Sequence, residues 1–266
     1  MEAHETPMTV TRFTAMKSAG QKITMLTAYD YTMARLLDEA GVDGLLVGDS
    51  LAMVVQGHPT TLPATMEQML YHAEMVGRAV RRALVVVDMP FMSYQLGVRD
   101  ALANAGRILK QTRCQAVKLE GGADQAEIVS ALVRAGIPVM AHLGLRPQSV
   151  HQSGGYSVQR NRQQLLQDSQ AVQQAGAFSI LLECIPADLA AEITASVQVP
   201  TIGIGAGSGC DGQIQVIHDV VGLTLGRLPR HAKTYADLKT AIQQAVAQYC
   251  QEVRQGLFPS AEHSFR

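Results

Sequence analysis

The sequence has little to tie it to nucleic acid, a membrane or disulfide chemistry. Its 22 basic and 23 acidic side chains leave a formal net charge of −1 over 266 residues, so it carries no electrostatic footprint for nucleic acid or an anionic membrane. No apolar run approaches the roughly 20 residues of a bilayer span. Residues 1–12 are acidic and threonine-rich, without the apolar core of a secretory signal, and a cytoplasmic location is expected. The four cysteines, Cys114, Cys184, Cys210 and Cys250, are scattered with none in a CxxC pair. That removes the signatures of a disulfide framework and a zinc knuckle, and Cys184 is expected to be a small buried hydrophobe. No low-complexity segment or linker interrupts the chain.

What is present is a parallel α/β pattern. At 47% hydrophobic and 17% charged residues, the chain has enough apolar content for one large core. Short runs of Val, Ile and Leu recur, each followed by a polar or glycine break and then a helical stretch. Strands are predicted at 23–28, 44–47, 84–87, 116–119, 139–141, 179–182, 201–204 and, more weakly, 221–225. The longest helices are predicted at 66–82, 100–112, 162–175 and 235–255. Three returns from helix to strand share a glycine, at Gly41, Gly136 and Gly176, where a helix end calls for positive φ. Eight strands close a (β/α)8 TIM barrel, and about 250 residues is its usual size. The expectation is therefore one barrel domain over 1–266, with a short N-terminal extension and a C-terminal helix. A doubly wound open sheet is the alternative. The long segment 50–65, with Gly57, Pro59 and Pro63, reads as a lid or site wall.

Ionisable groups fall at strand ends: Asp49 and Asp88 after the second and third strands, Lys118 and Glu120 on the fourth, His142 after the fifth and Glu183 after the sixth. In a parallel barrel these ends converge on the carboxyl face, where such barrels carry their active sites. One Asp after a strand is commonly a helix cap, but four carboxylates crowded together repel one another unless a cation is present. All-oxygen ligation without paired His or Cys favours a hard divalent ion such as Mg2+. Asp49 and Asp88 are the expected direct or water-bridged ligands, with Glu120 in the ion's surroundings. Lys118 is placed to neutralise a substrate carboxylate, His142 to donate to a bound oxygen, and Glu183, on an otherwise apolar strand, to act as general base. The glycine-rich run 203–209 lacks P-loop spacing and is a weak phosphate signal.

Longer stretches carry a resemblance: Leu46-Val47-Gly48-Asp49-Ser50-Leu51, Asp88-Met89-Pro90-Phe91-Met92, Val117-Lys118-Leu119-Glu120-Gly121-Gly122, His142-Leu143-Gly144-Leu145, Pro147-Gln148-Ser149, Leu182-Glu183-Cys184 and Ile202-Gly203-Ile204-Gly205-Ala206-Gly207. Together, in order across residues 24–265, they resemble the ketopantoate hydroxymethyltransferase family. The resemblance implies a Mg2+ site at Asp49 and Asp88 with Glu120 nearby. It also implies a 2-oxo acid held by Asp49, Ser50, Asp88 and Lys118, Glu183 as proton acceptor, 5,10-methylenetetrahydrofolate as one-carbon donor, and homo-oligomers, typically decamers. Ser157 departs from the lysine usual in the family after Gly-Gly-Tyr, and Ala141 stands where glycine is common. A Mg2+-dependent carbon-carbon lyase acting on a 2-oxo acid without folate, and a non-catalytic oxo-acid-binding barrel, are the competing readings.

Overall fold

The strands are buried to a degree that only a sheet covered on both faces explains. In the computed structural model, which describes residues 6–265, every residue of β2 (Gly44–Val47), β3 (Leu84–Asp88), β4 (Ala116–Glu120) and β7 (Thr201–Ile204) is buried, as expected of parallel strands with apolar neighbours on either side. With β1 (Ile23–Thr27), β5 (Val139–Gly144), β6 (Ser179–Glu183) and β8 (Gly212–Gln215) they form a closed parallel barrel in sequence order. The β1 to β8 pairing, from Ile23 opposite Gly212 to Leu26 opposite Gln215, rules out the open sheet.

Helices α1 (Val10–Ser18), α2 (Tyr31–Glu39), α3 (Leu51–Val54), α4 (Met66–Ala79), α5 (Val98–Gln111), α6 (Ala126–Arg134), α7 (Arg162–Gln174) and α8 (Ala187–Ser196) accompany the strands. The short α3 lies inside the segment expected to be a long loop. The glycines expected at the helix-to-strand returns have φ of 92° at Gly41, 84° at Gly136 and 97° at Gly176.

A buried cluster inside the barrel takes alternate residues of successive strands: Ile23 and Met25, Leu84 and Val86, Ala116, Met140, Leu181, Ile202 and Ile204. Alternation puts i, i+2 and i+4 on one face, so the inward series continues to Asp88 after Leu84 and Val86. In the same way Lys118 and Glu120 follow Ala116, His142 follows Met140 and Glu183 follows Leu181. The amino-terminal end is closed by α1, whose fully buried Phe13 packs edge-on against Phe178 at 5.8 Å. One end of the barrel is thus apolar, and the polar inward positions fall at the other.

The eighth strand is a correction. It lies at Gly212–Gln215, and 221–225 belongs to the chain between two later helices. The Val-Val-Gly-Leu run drew the expectation, whereas β8 alternates buried and exposed residues. No helix separates β7 from β8. The glycine-rich loop 205–211 makes the crossover, so the weak phosphate motif is a connector. Gly212 is required there because a Cβ would stand 2.5 Å from the carbonyl oxygen of Ile23.

Asp38 at the end of α2 shows how a buried carboxylate organises a turn. It accepts from the backbone amides of Arg81 (2.8 Å), Arg82 (3.2 Å) and Ala83 (2.8 Å), just before β3. Asp38→Ala leaves these donors unmatched at a cost of about 1–3 kcal/mol for each one that stays buried. A fall of several degrees in apparent Tm is expected, and an unchanged melting curve would show that water replaces the carboxylate.

A second compact unit begins at Ile217. It contains α9 (Ile217–Val220) and α10 (Leu238–Arg254), the latter capped by Asp237, which accepts from the Thr240 amide. Leu238, Ile242, Val246, Tyr249 and Val253 are exposed along α10 at the three- and four-residue spacing of one helical face. Among the described residues no helix is long and apolar enough to cross a membrane, and the four cysteines are not joined in disulfides.

Candidate active site

Strand register brings the inward polar residues side by side: Asp88 is opposite Lys118, and Glu120 is opposite His142. Asp49 follows β2 at the turn into α3. All five are at most 5% exposed, and the Glu183 side chain is more open at 18%. Asp88 ties two of them together: Oδ2 accepts from the Asp49 amide at 3.0 Å, and Oδ1 lies 2.7 Å from Lys118 Nζ. Ser50 meets the hydroxyl of buried Tyr29 at 2.8 Å. The sequence-predicted residues therefore gather at one mouth, around a single lysine.

Two residues that sequence reasoning did not single out complete the network. Gln148 donates through Nε2 to Asp49 Oδ2 (2.9 Å) and to the Met89 carbonyl (3.0 Å), and its backbone amide donates to Glu120 Oε2 (3.1 Å). Tyr94 donates to Gln148 Oε1 at 2.9 Å and accepts from the Glu120 amide at 3.1 Å. Pro147-Gln148-Ser149 was visible as a motif, but nothing local marked Gln148 as a partner of Asp49, 99 positions away.

Four carboxylates face one ammonium, and the imbalance shows in their proton affinities. Burial, then repulsion from Asp88, pushes Asp49 up to about 7. Burial, then Asp49, holds Glu120 well above the usual carboxylate range. Lys118 is raised: burial opposes its charge, but Asp88, Asp49 and Glu120 together outweigh that. His142 is lowered by burial first and then by Lys118, so it is neutral near pH 7. Lys118 Nζ, 3.4 Å from His142 Nδ1, can only donate. Nδ1 is therefore the acceptor and the proton sits on Nε2, which lies 3.3 Å from Glu183 Oε2 without the alignment of a hydrogen bond.

The Asp49 shift has a signed consequence for the metal-free protein. Its folded pKa, about 7, lies above its ordinary 3.8, so the carboxyl binds its proton more tightly in the folded state. The stability this contributes is complete below pH 3.8 and is lost as pH rises through about 7, at up to about 1.4 kcal/mol per pH unit. Apparent Tm in chelator is expected to fall across that window, and to fall less in Asp49→Asn. Parallel Tm-against-pH curves for the two proteins would contradict the assignment.

The rim that carries Glu183 is under backbone constraint. Gly144, paired with Glu183, has φ of 96°, and a Cβ there would stand 2.2 Å from the Glu183 carbonyl oxygen. Cys184 adopts φ of 49°, an uncommon conformation for a side-chain-bearing residue. It is half-buried, which corrects the expectation of a buried hydrophobe. Its thiol is pushed up to about 11 by burial and then by Glu183, which leaves it a poor nucleophile. Among the described residues no group of three or more His, Cys, Asp or Glu side chains is placed to hold a metal ion. An ion bound here would take few protein ligands and keep other positions for water or substrate.

A family profile for ketopantoate hydroxymethyltransferase matches residues 7–261. The chain is 54% identical over 264 residues to 3-methyl-2-oxobutanoate hydroxymethyltransferase from Rhodopirellula baltica, covering 99% of this chain and 98% of that protein. It is 56% identical over 262 residues to the enzyme of the same name from Carboxydothermus hydrogenoformans, covering 97% and 95%. Among solved structures, phosphonopyruvate hydrolase in complex with oxalate and Mg++ superposes with a TM-score of 0.62 at 14% identity, over 96% of this chain and 92% of that one. Phosphoenolpyruvate phosphomutase from Streptomyces platensis gives 0.64 at 15%, over 97% and 92%. At these identities the structural likeness speaks for the fold alone.

Proposed function

The chain belongs to the ketopantoate hydroxymethyltransferase family, and from that premise we propose how its carboxyl-end cluster performs the reaction. The enzyme is a 3-methyl-2-oxobutanoate hydroxymethyltransferase that forms ketopantoate. The folate-free lyase and the non-catalytic reading give way to this. The finer proposal is that 5,10-methylenetetrahydrofolate is the donor, Mg2+ the metal, and Asp49, Ser50, Asp88, Lys118, Glu120, His142 and Glu183 the working residues. The observation that carries it is the buried excess of carboxylate around Asp88, with one more exposed carboxylate, Glu183, beside a neutral histidine.

The donor set fits Mg2+. Asp49 and Asp88 are hard oxygen donors held together by the Asp49 backbone amide on Asp88 Oδ2, and the Asp49 pKa, raised by burial first and then by Asp88, marks a charge that a divalent cation would stabilise. Glu120, held by the Gln148 amide, suits water-mediated contact. Bound there, the cation supplies Lewis-acid stabilisation of charge developing on the 2-oxo oxygen.

The chain's own groups then divide the work. Lys118, the buried cation, and Ser50, held by Tyr29, orient the substrate carboxylate. Glu183 removes the C3 proton, with His142 Nε2 beside it at 3.3 Å. The resulting carbanionic carbon forms its bond to the methylene carbon of the folate; both C–N bonds of that carbon break, water supplies the hydroxyl, and the C3 proton taken by Glu183 and the remaining proton of water go to the two nitrogens of the departing tetrahydrofolate. The segment 50–65 walls the mouth and limits water there.

C3-proton exchange in D2O, followed by NMR with Mg2+ and without folate, tests this half-reaction. Metal-dependent exchange is expected from the wild type, and its absence would overturn the enolisation step. A cytoplasmic location, the single-domain organisation over 1–266 and a homo-oligomeric state, decameric as in the family, complete the proposal. The exposed apolar stripe on α10 supports association.

A further inference from the structure

Gln148 sits on the short turn Pro147–Ser149 after β5 and is 6% exposed. Its side chain uses every hydrogen bond available to an amide. Nε2 serves Asp49 Oδ2 and the Met89 carbonyl, and Oε1 accepts from Tyr94 Oη (2.9 Å) and Gln95 Nε2 (3.2 Å). The partners fix which way round the amide lies, because the Met89 carbonyl can only accept and Gln95 Nε2 can only donate. The backbone amide of the same residue holds Glu120 Oε2. One rigidly satisfied residue therefore grips two carboxylates that come from different strands.

We infer that Gln148 is a positioning residue that aims Asp49 and Glu120 at the divalent cation, with Tyr94 as its brace. The inference rests on the proposed metal reading of those carboxylates. A neutral donor is the chemistry such a place requires. It fixes the rotation of the Asp49 carboxylate while leaving its charge and its Oδ1 for an ion. A lysine there would neutralise the carboxylate and compete with the cation, and a glutamate would add repulsion to a crowded site. Hydrogen bonds that orient ligating carboxylates commonly change metal affinity by about 10–100-fold.

The test is Mn2+ binding to the full chain, read as the free-ion electron paramagnetic resonance signal in the absence of substrate. Gln148→Met keeps the length and removes the donors. Its Mn2+ dissociation constant is expected to rise about 10–100-fold, with turnover recovering towards wild type at saturating metal. A purely structural role would lower the folded fraction without moving the affinity of what remains folded. Tyr94→Phe, which keeps the Gln148 donors and removes the brace together with the hydroxyl's contacts to the Glu120 backbone, is expected to weaken binding in the same direction by less, and it decides the matter if Gln148→Met does not fold. Wild-type affinity in the variant that folds would overturn the role of Gln148 and leave the proposed function intact. No Mn2+ binding by the wild type would overturn the metal reading itself.

Discussion

Glu183→Gln is expected to lower kcat by about 10²–10⁴-fold, the usual contribution of a positioned general base, and to remove C3-proton exchange in D2O. KM for the oxo acid should change little, because the contacts proposed to hold the substrate come from Lys118 and Ser50. The substitution keeps size and removes the basic oxygen. It also removes the charge that lies 3.3 Å from His142 Nε2. Steady-state kinetics and the exchange rate are to be measured on the same preparation. Retention of more than about a tenth of the exchange, set against that expected range, would place the base elsewhere, with His142 the next group in reach.

Lys118→Met should be the most destabilising change at the site in the metal-free protein. Lys118 Nζ, 2.7 Å from Asp88 Oδ1, is the ammonium among Asp49, Asp88, Glu120 and Glu183. Its removal leaves Asp88 buried without its cation. Breaking a buried pair from one side costs about 3–5 kcal/mol, which at roughly 2–4 °C per kcal/mol for a large domain lowers apparent Tm by roughly 6–20 °C. Asp88→Asn combined with Lys118→Met should be more stable than Lys118→Met alone, because the uncompensated charge is then gone. Mg2+ should raise Tm more in Lys118→Met than in the wild type. Thermal unfolding in chelator and in Mg2+ measures all three proteins. A Lys118→Met protein within about 1 kcal/mol of wild type would mean that the carboxylates take up protons at little cost, far below the penalty for an unpaired buried charge.

Much of this was legible locally. Seven of the eight expected strands stand where the apolar runs put them, because a strand buried on both faces must be apolar at nearly every position. The exception, β8, has polar glutamines alternating with glycine and isoleucine, and it follows a loop where a helix was expected. Its place is set by pairing with β1 and β7, which are contacts at a distance. Asp88, Lys118, Glu120, His142 and Glu183 were readable as strand-end groups, since alternation along a strand carries the inward face from apolar to ionisable within a few residues. Gln148 and Tyr94 were not, because an amide in a loop and a tyrosine between a strand and a helix look like ordinary surface or core residues until the chain is closed.

The sequence by itself determined the periodicities, the turn glycines, the family and the polarity of each strand's inward face, all properties that depend on residues a few positions apart. The tertiary structure alone decided that β1 closes on β8, that Gln148 grips Asp49 and Glu120 at once, that burial and Lys118 favour neutral His142 with its Nε2 3.3 Å from Glu183, and that burial raises the Asp49 pKa to about 7. Hydrogen bonds across the barrel mouth and the loss of water around a charge arise only when distant segments are packed together, and their strength is set by that packing.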